Sequence, residues 1–169
     1  MKRERTFVRN EVGAASVSLA GSAGVAIPGG VWALDWGVAM GISVARFATR
    51  RVGVCADGLA QVREFTRRQL AGWGLDGGID DVVSVVGELT ANVVCHAAAE
   101  EGGVWLALAT SPRSVICVVR DPSSQTPVPR ASVFPAVDGR GLGIVAALSC
   151  AWGWRTEADG KAVWARIPL

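Results

Sequence analysis

Val85-Val86-Gly87-Glu88-Leu89-Thr90-Ala91-Asn92-Val93-Val94-Cys95-His96-Ala97 is the stretch on which the fold turns. Asp80 and Asp81 stand just before it, where carboxylates suit the positive end of a helix dipole. Val82, Val86, Leu89 and Val93 recur at three- and four-residue spacing and predict the buried stripe of a helix running to about Ala98. Glu88 and Asn92 are four residues apart, so they project from one face beside that stripe, with His96 one turn further on. A carboxylate and an amide carbonyl so placed suit a hydrated Mg²⁺ and a water or hydroxyl nucleophile. A solvated polar helix face is the alternative that these residues alone leave open.

Upstream, Gly72, Gly74, Gly77 and Gly78 mark a loop. It follows a predicted helix with Asp57 at its N-cap and its end near Ala71. Leu59, Val62, Phe65, Thr66 and Leu70 approximate one face of that helix, with Arg63, Arg67 and Arg68 largely outside it. Ile42 to Ala48 reads as a strand before it. Downstream, Gly102-Gly103 closes the central helix region. Val104 to Ala109 and Ser114 to Arg120 then read as an antiparallel pair about a turn at Thr110-Ser111-Pro112-Arg113. Residues 121–138 carry Pro122, Pro127, Pro129 and Pro135, and loops this long inside a domain are commonly functional. Leu142 to Cys150 reads as a helix reached through Gly139-Arg140-Gly141. Ala151 to Thr156 and Ala162 to Ile167 form a hairpin around Asp159-Gly160. The order of elements predicts an α+β sandwich of two layers, with helices on one face of a mixed, mostly antiparallel sheet.

The composition suits this. Of 169 residues, 50% are hydrophobic and 19% charged, which supports a packed core, and the net charge of +2 gives no electrostatic case for a nucleic acid or an anionic membrane as partner. Residues 1–41 read as a flexible Gly/Ala-rich leader ahead of a domain at 42–169. Its apolar run is too rich in Gly, Ala and Ser, and too broken at Pro28-Gly29-Gly30, to read as a membrane span. Trp32 and Trp36 would pair if a short helix forms there. Cys55, Cys95, Cys117 and Cys150 are widely spaced in apolar runs and read as buried free thiols of a cytoplasmic protein rather than zinc ligands.

Two further places carry chemistry. Asp121 follows the apolar run Val115 to Val119, where a carboxylate can accept a hydrogen bond from an exocyclic amine, or simply begin a turn before Pro122. Gly139-Arg140-Gly141-Leu142-Gly143 precedes a helix. Glycines there let the backbone approach phosphates, helix-end N–H groups are donors, and Arg140 adds charge. The spacing fits neither a Walker loop nor a dinucleotide fingerprint.

Taken in order, these segments resemble the GHKL ATPases, and most closely the small bacterial anti-sigma-factor-type serine kinases with their actinobacterial relatives. Val85 to Ala97 is similar to that family's N-box, Val119-Arg120-Asp121-Pro122 to its G1 box, Gly139 to Ile144 to its G2 box, and Gly160-Lys161-Ala162-Val163-Trp164 to its closing strand. The resemblance implies a Bergerat α/β sandwich over residues 42–169. It implies ATP and Mg²⁺ as cofactors, Glu88 as the base that activates an acceptor hydroxyl, and Asn92 as the Mg²⁺ ligand. Asp121 would bind the adenine amine, and Gly139, Arg140, Gly141, Leu142 and Gly143 would wrap the phosphates beneath a lid at 123–138. The family's Asp-x-Gly is Asp121-Pro122-Ser123 here, and a Cβ at Ser123, facing the base, is expected to weaken nucleotide binding. The implied function is a Ser/Thr protein kinase acting on a small antagonist protein, with a sigma factor as a second partner and a homodimer as its assembly. The alternative is a non-catalytic partner-binding module with weak or no nucleotide binding.

Overall fold

The computed structural model describes residues 44–53, 57–96, 104–122, 141–157 and 160–169, apart from the side chains of 94–96 and 155–157. The expectations for the leader, the lid, Ser123, Gly139, Arg140, Cys55 and the side chains of Cys95 and His96 lie outside those residues.

The chain runs β1 (Arg46–Val52), α1 (Gly58–Gly72), α2 (Ile79–His96), β2 (Val104–Ser111), β3 (Ser114–Asp121), α3 (Gly141–Leu148), β4 (Ala151–Glu157) and β5 (Gly160–Pro168). The strands form one sheet in the order β1-β2-β3-β5-β4, and every neighbouring pair is antiparallel. The fold is therefore α+β as expected, and the strand pairs among the described residues are all antiparallel. The chain leaves β3, passes through α3 to the edge strand β4, and returns by a hairpin, so β5 lands beside β3 running against it.

Alternation sorts the sheet's two faces. Val104, Leu106, Leu108, Val115, Cys117, Val119, Val163, Ala165 and Ile167 face the helices and join Val62, Leu70, Val82, Val86, Leu89, Val93 and Val145 in the main core. Ala107, Ala109, Ile116, Val118 and Ala162 form a smaller apolar cluster on the opposite face, with Val44 and Trp164 packed against it. Helix α2 lies over β3 and β5, flanked by α1 on one side and α3 on the other. The predicted stripe of α2 is buried, as are Val62, Thr66 and Leu70 of the α1 stripe, with Leu59 and Phe65 half-buried and Arg63, Arg67 and Arg68 exposed. An ion pair between Arg67 and Asp80 at 3.2 Å links α1 to α2, but both ends are in solvent, so it adds little.

Several boundaries differ from the sequence reading. The first strand is Arg46–Val52, four residues later than Ile42 to Ala48. It is an edge strand whose only buried residue is Val52, so no apolar alternation announces it. Arg50 is held against α1 by a hydrogen bond to Gln61 Oε1 at 3.2 Å and by stacking over Phe65, and Arg46 donates to the Trp73 carbonyl. Asp57 sits at the N-cap of α1 without a side-chain capping bond. Helix α3 is shorter than predicted and ends at Leu148. Glu157 pairs with Gly160, so Gly160 belongs to the last strand, and Asp159 lies outside the described residues. Cys117 is a buried free thiol as expected, whereas Cys150 is exposed. Among the described residues no helix is long and apolar enough to cross a membrane.

Candidate functional site

The rotation of α2 is set by its valine and leucine stripe. With Val82, Val86, Leu89 and Val93 buried, Glu88 and Asn92 are left half-buried at the margin of the helix. They meet the start of α3 there. A Cβ added to Gly141, the first residue of α3, would lie 2.7 Å from Glu88 Oε2 and 3.5 Å from Asn92 Oδ1. Two motifs about fifty residues apart in the chain therefore converge on one point, and a glycine makes the approach possible.

Helix α3 is pinned by Val145, which is fully buried in the main core. Its first turn carries N–H groups with no partner within the helix, the usual donors for phosphate oxygens. Leu142 is half-buried, and Gly143 is exposed with open space where a side chain would begin. The local arrangement is thus an acidic and an amide side chain facing the positive end of a short helix, which suits a phosphate chain with an accompanying cation. Among the described residues there is no group of three or more His, Cys, Asp or Glu able to hold a metal. The donors present, one carboxylate and one amide oxygen, fit Mg²⁺, which is usually held by one or two side chains together with phosphates and water.

Asp121 is the last residue of β3 and is fully buried. It continues the alternation of Val115, Cys117 and Val119, so its carboxylate faces the helix layer. Lys161 stands opposite it in register on β5, and its Nζ lies 2.9 Å from Asp121 Oδ2. The side chains of Lys161 and Asp121 are 9% and 0% exposed, so this is a desolvated ion pair. Burying either charge alone would cost several kcal/mol, on the order of the penalty for any unpaired buried ion. Beside the pair, Gly160 has φ +137°, and a Cβ there would come within 2.1 Å of the Asp121 carbonyl oxygen. Only glycine lets β5 start so close to the end of β3.

Lys161 is a residue the sequence reading did not single out. A signal was present: Val163, Ala165 and Ile167 are on the buried face, and position 161 continues their period of two. A lysine on the inward face of a strand implies a buried acidic partner. Cys117 lies deeper on the same face, its Sγ donating to the Ala165 carbonyl at 3.7 Å. Burial pushes its thiol up to about 12, so it is inert packing and not a nucleophile.

Comparison with known proteins bears on the family and the fold. Residues 55–167 match the family model of the histidine kinase-like ATPase domain. No curated protein sequence matches the chain. Among solved structures, the chain is similar to the crystal structure of the RsbU and RsbW domains of Rv1364c from Mycobacterium tuberculosis. The TM-score is 0.56 at 20% identity, over 74% of this chain and 33% of that one. The chain thus spans about a third of that protein's solved length, and the likeness is one of fold.

Proposed function

We propose that this chain, which belongs to the family of histidine kinase-like ATPase domains, binds Mg-ATP between α2 and the start of α3 and transfers a phosphoryl group to a serine or threonine hydroxyl of a small antagonist protein. The observation that carries this is the convergence of Glu88, Asn92 and Gly141. In this reading the N–H groups of the first turn of α3, through Gly141, Leu142 and Gly143, hold the phosphates, and Gly139 and Arg140 extend the cradle. Asn92 would hold Mg²⁺ through its amide oxygen. When bound, the ion would offset the charge of the phosphates. Glu88 accepts the proton of the acceptor hydroxyl as its oxygen forms a bond to the γ-phosphorus and the bond to ADP breaks. Asp121 faces the base, with Ser123 nearby in sequence. The resemblance to anti-sigma-factor-type kinases supports a sigma factor as a second partner and a homodimeric, cytoplasmic protein.

The test is Mg-ATP titration of the full chain by calorimetry, followed by transfer of labelled γ-phosphate to candidate antagonist proteins. Saturable binding that Asn92→Ala weakens, together with a Glu88→Ala protein that binds but does not transfer, is the expected result. A Glu88→Ala protein that still labels its substrate at the normal rate would remove the base assignment.

A second reading is a partner-binding module without catalysis. Two observations favour it: Ser123 stands in place of the usual glycine, and the Asp121 carboxylate is already engaged by Lys161. Absence of binding at millimolar ATP would decide for it.

A further inference from the structure

The buried pair of Lys161 and Asp121 bears on which nucleotide the site accepts, an inference that rests on the nucleotide-binding proposal. An adenine amine bound to a carboxylate places its nitrogen about 2.8–3.0 Å from a carboxylate oxygen. The Lys161 ammonium already stands at that distance, 2.9 Å from Asp121 Oδ2. It is also held there. Lys161 is directly opposite Asp121 in the β3–β5 register, its side chain is 9% exposed, and at Gly160 the start of β5 runs so close to the end of β3 that a Cβ would meet the Asp121 carbonyl oxygen.

We infer that Lys161 holds the amine-recognising end of the site in competition with the base, so that the protein binds ATP weakly and does not select adenine over a 6-oxopurine. Two physical effects act together. The adenine amine is a neutral donor that competes with a charged one for the same carboxylate, and charge-assisted contacts are the stronger kind. Any movement of the ammonium away from Asp121 also weakens a buried ion pair. A base with a carbonyl in place of the amine meets a different situation. Its oxygen accepts from the ammonium, and the adjacent ring N–H donates to the carboxylate, with the ion pair kept intact. The pair thus satisfies the lactam edge of inosine or guanosine nucleotides at least as well as the amidine edge of adenosine.

The experiment compares Mg-ATP with Mg-ITP, which differ only along this edge of the base, in the C6 group and the adjacent ring nitrogen, on the full-length protein and on two variants. Lys161→Thr keeps a hydroxyl donor for Asp121 and suits a strand. Lys161→Met keeps the length of the side chain without the charge. Circular dichroism verifies that each is folded. The expected result is that the parent protein binds ATP and ITP within about threefold of one another. At least one variant then binds ATP about tenfold more tightly than the parent does and prefers it to ITP by about tenfold, the worth of one charge-assisted hydrogen bond. A parent protein that prefers ATP by tenfold or more overturns the inference, as do folded variants that both bind ATP no better than the parent. Failure of the parent and of both variants to bind either nucleotide would remove the nucleotide-binding reading itself, and this inference with it.

Discussion

Gly141→Ala separates the geometry of the site from the stability of the fold. The backbone of Gly141 is helical and is not among the positive-φ glycines, so alanine is sterically allowed there. In a helix the exchange is favourable by up to about 1 kcal/mol. The new methyl would nonetheless lie 2.7 Å from Glu88 Oε2, whereas an ordinary contact needs about 3.5 Å, so the carboxylate must retreat by about 0.8 Å. The retreating atom is the end of a flexible side chain, so the fold loses little. A displacement of that size at a catalytic group costs on the order of 10–100-fold in rate, equivalent to about 1.4–2.7 kcal/mol of transition-state stabilisation. The assay pairs ADP formation under saturating Mg-ATP with a thermal melt of the same preparation. Turnover is expected to fall in that range while the midpoint stays within about 3 °C of the parent. Unchanged turnover in a folded variant would refute the placement of Glu88 at the reacting centre.

Further outcomes follow from the same contacts. Gly160→Ala combines a φ of +137° with a Cβ 2.1 Å from the Asp121 carbonyl oxygen and 2.7 Å from Pro122 Cα, and neither backbone neighbour can yield. Chemical denaturation should show a loss of about 3 kcal/mol or more. Thr90 is fully buried, and its hydroxyl has no hydrogen-bond partner among the described residues, so the isosteric Thr90→Val should raise the free energy of unfolding by about 1 kcal/mol. Cys150 should react with iodoacetamide at pH 8 in the native protein while Cys117, read by peptide mass spectrometry, stays unmodified. Because the folded-state value of Cys117 is raised, its stabilising contribution is complete below the unfolded value of 9.0 and is lost as pH rises toward about 12. The unfolding free energy from urea titrations should therefore fall across that window by up to about 1.4 kcal/mol per pH unit, a slope that Cys117→Ala should lack.

By itself, the amino-acid sequence determined the parts of this protein that depend on local periodicity. Helix α2 was legible because its apolar residues repeat at helical spacing, and that repeat also fixes which way Glu88 and Asn92 point. The β2–β3 pair was legible because both strands are apolar on the two faces of the sheet and are separated by two turn residues, Pro112 and Arg113. The first strand was misplaced because an edge strand with one buried residue carries no such pattern. Only the tertiary structure decided what depends on register and crossing. The return of β5 beside β3, after a detour through α3 and β4, is what sets Lys161 against Asp121 across forty positions of sequence. The packing of α3 on α2 is what brings Gly141 to Glu88. Periodicity reports which face of an element is buried. It holds no information about which distant residue waits on that face, because that is settled by how whole elements share one core.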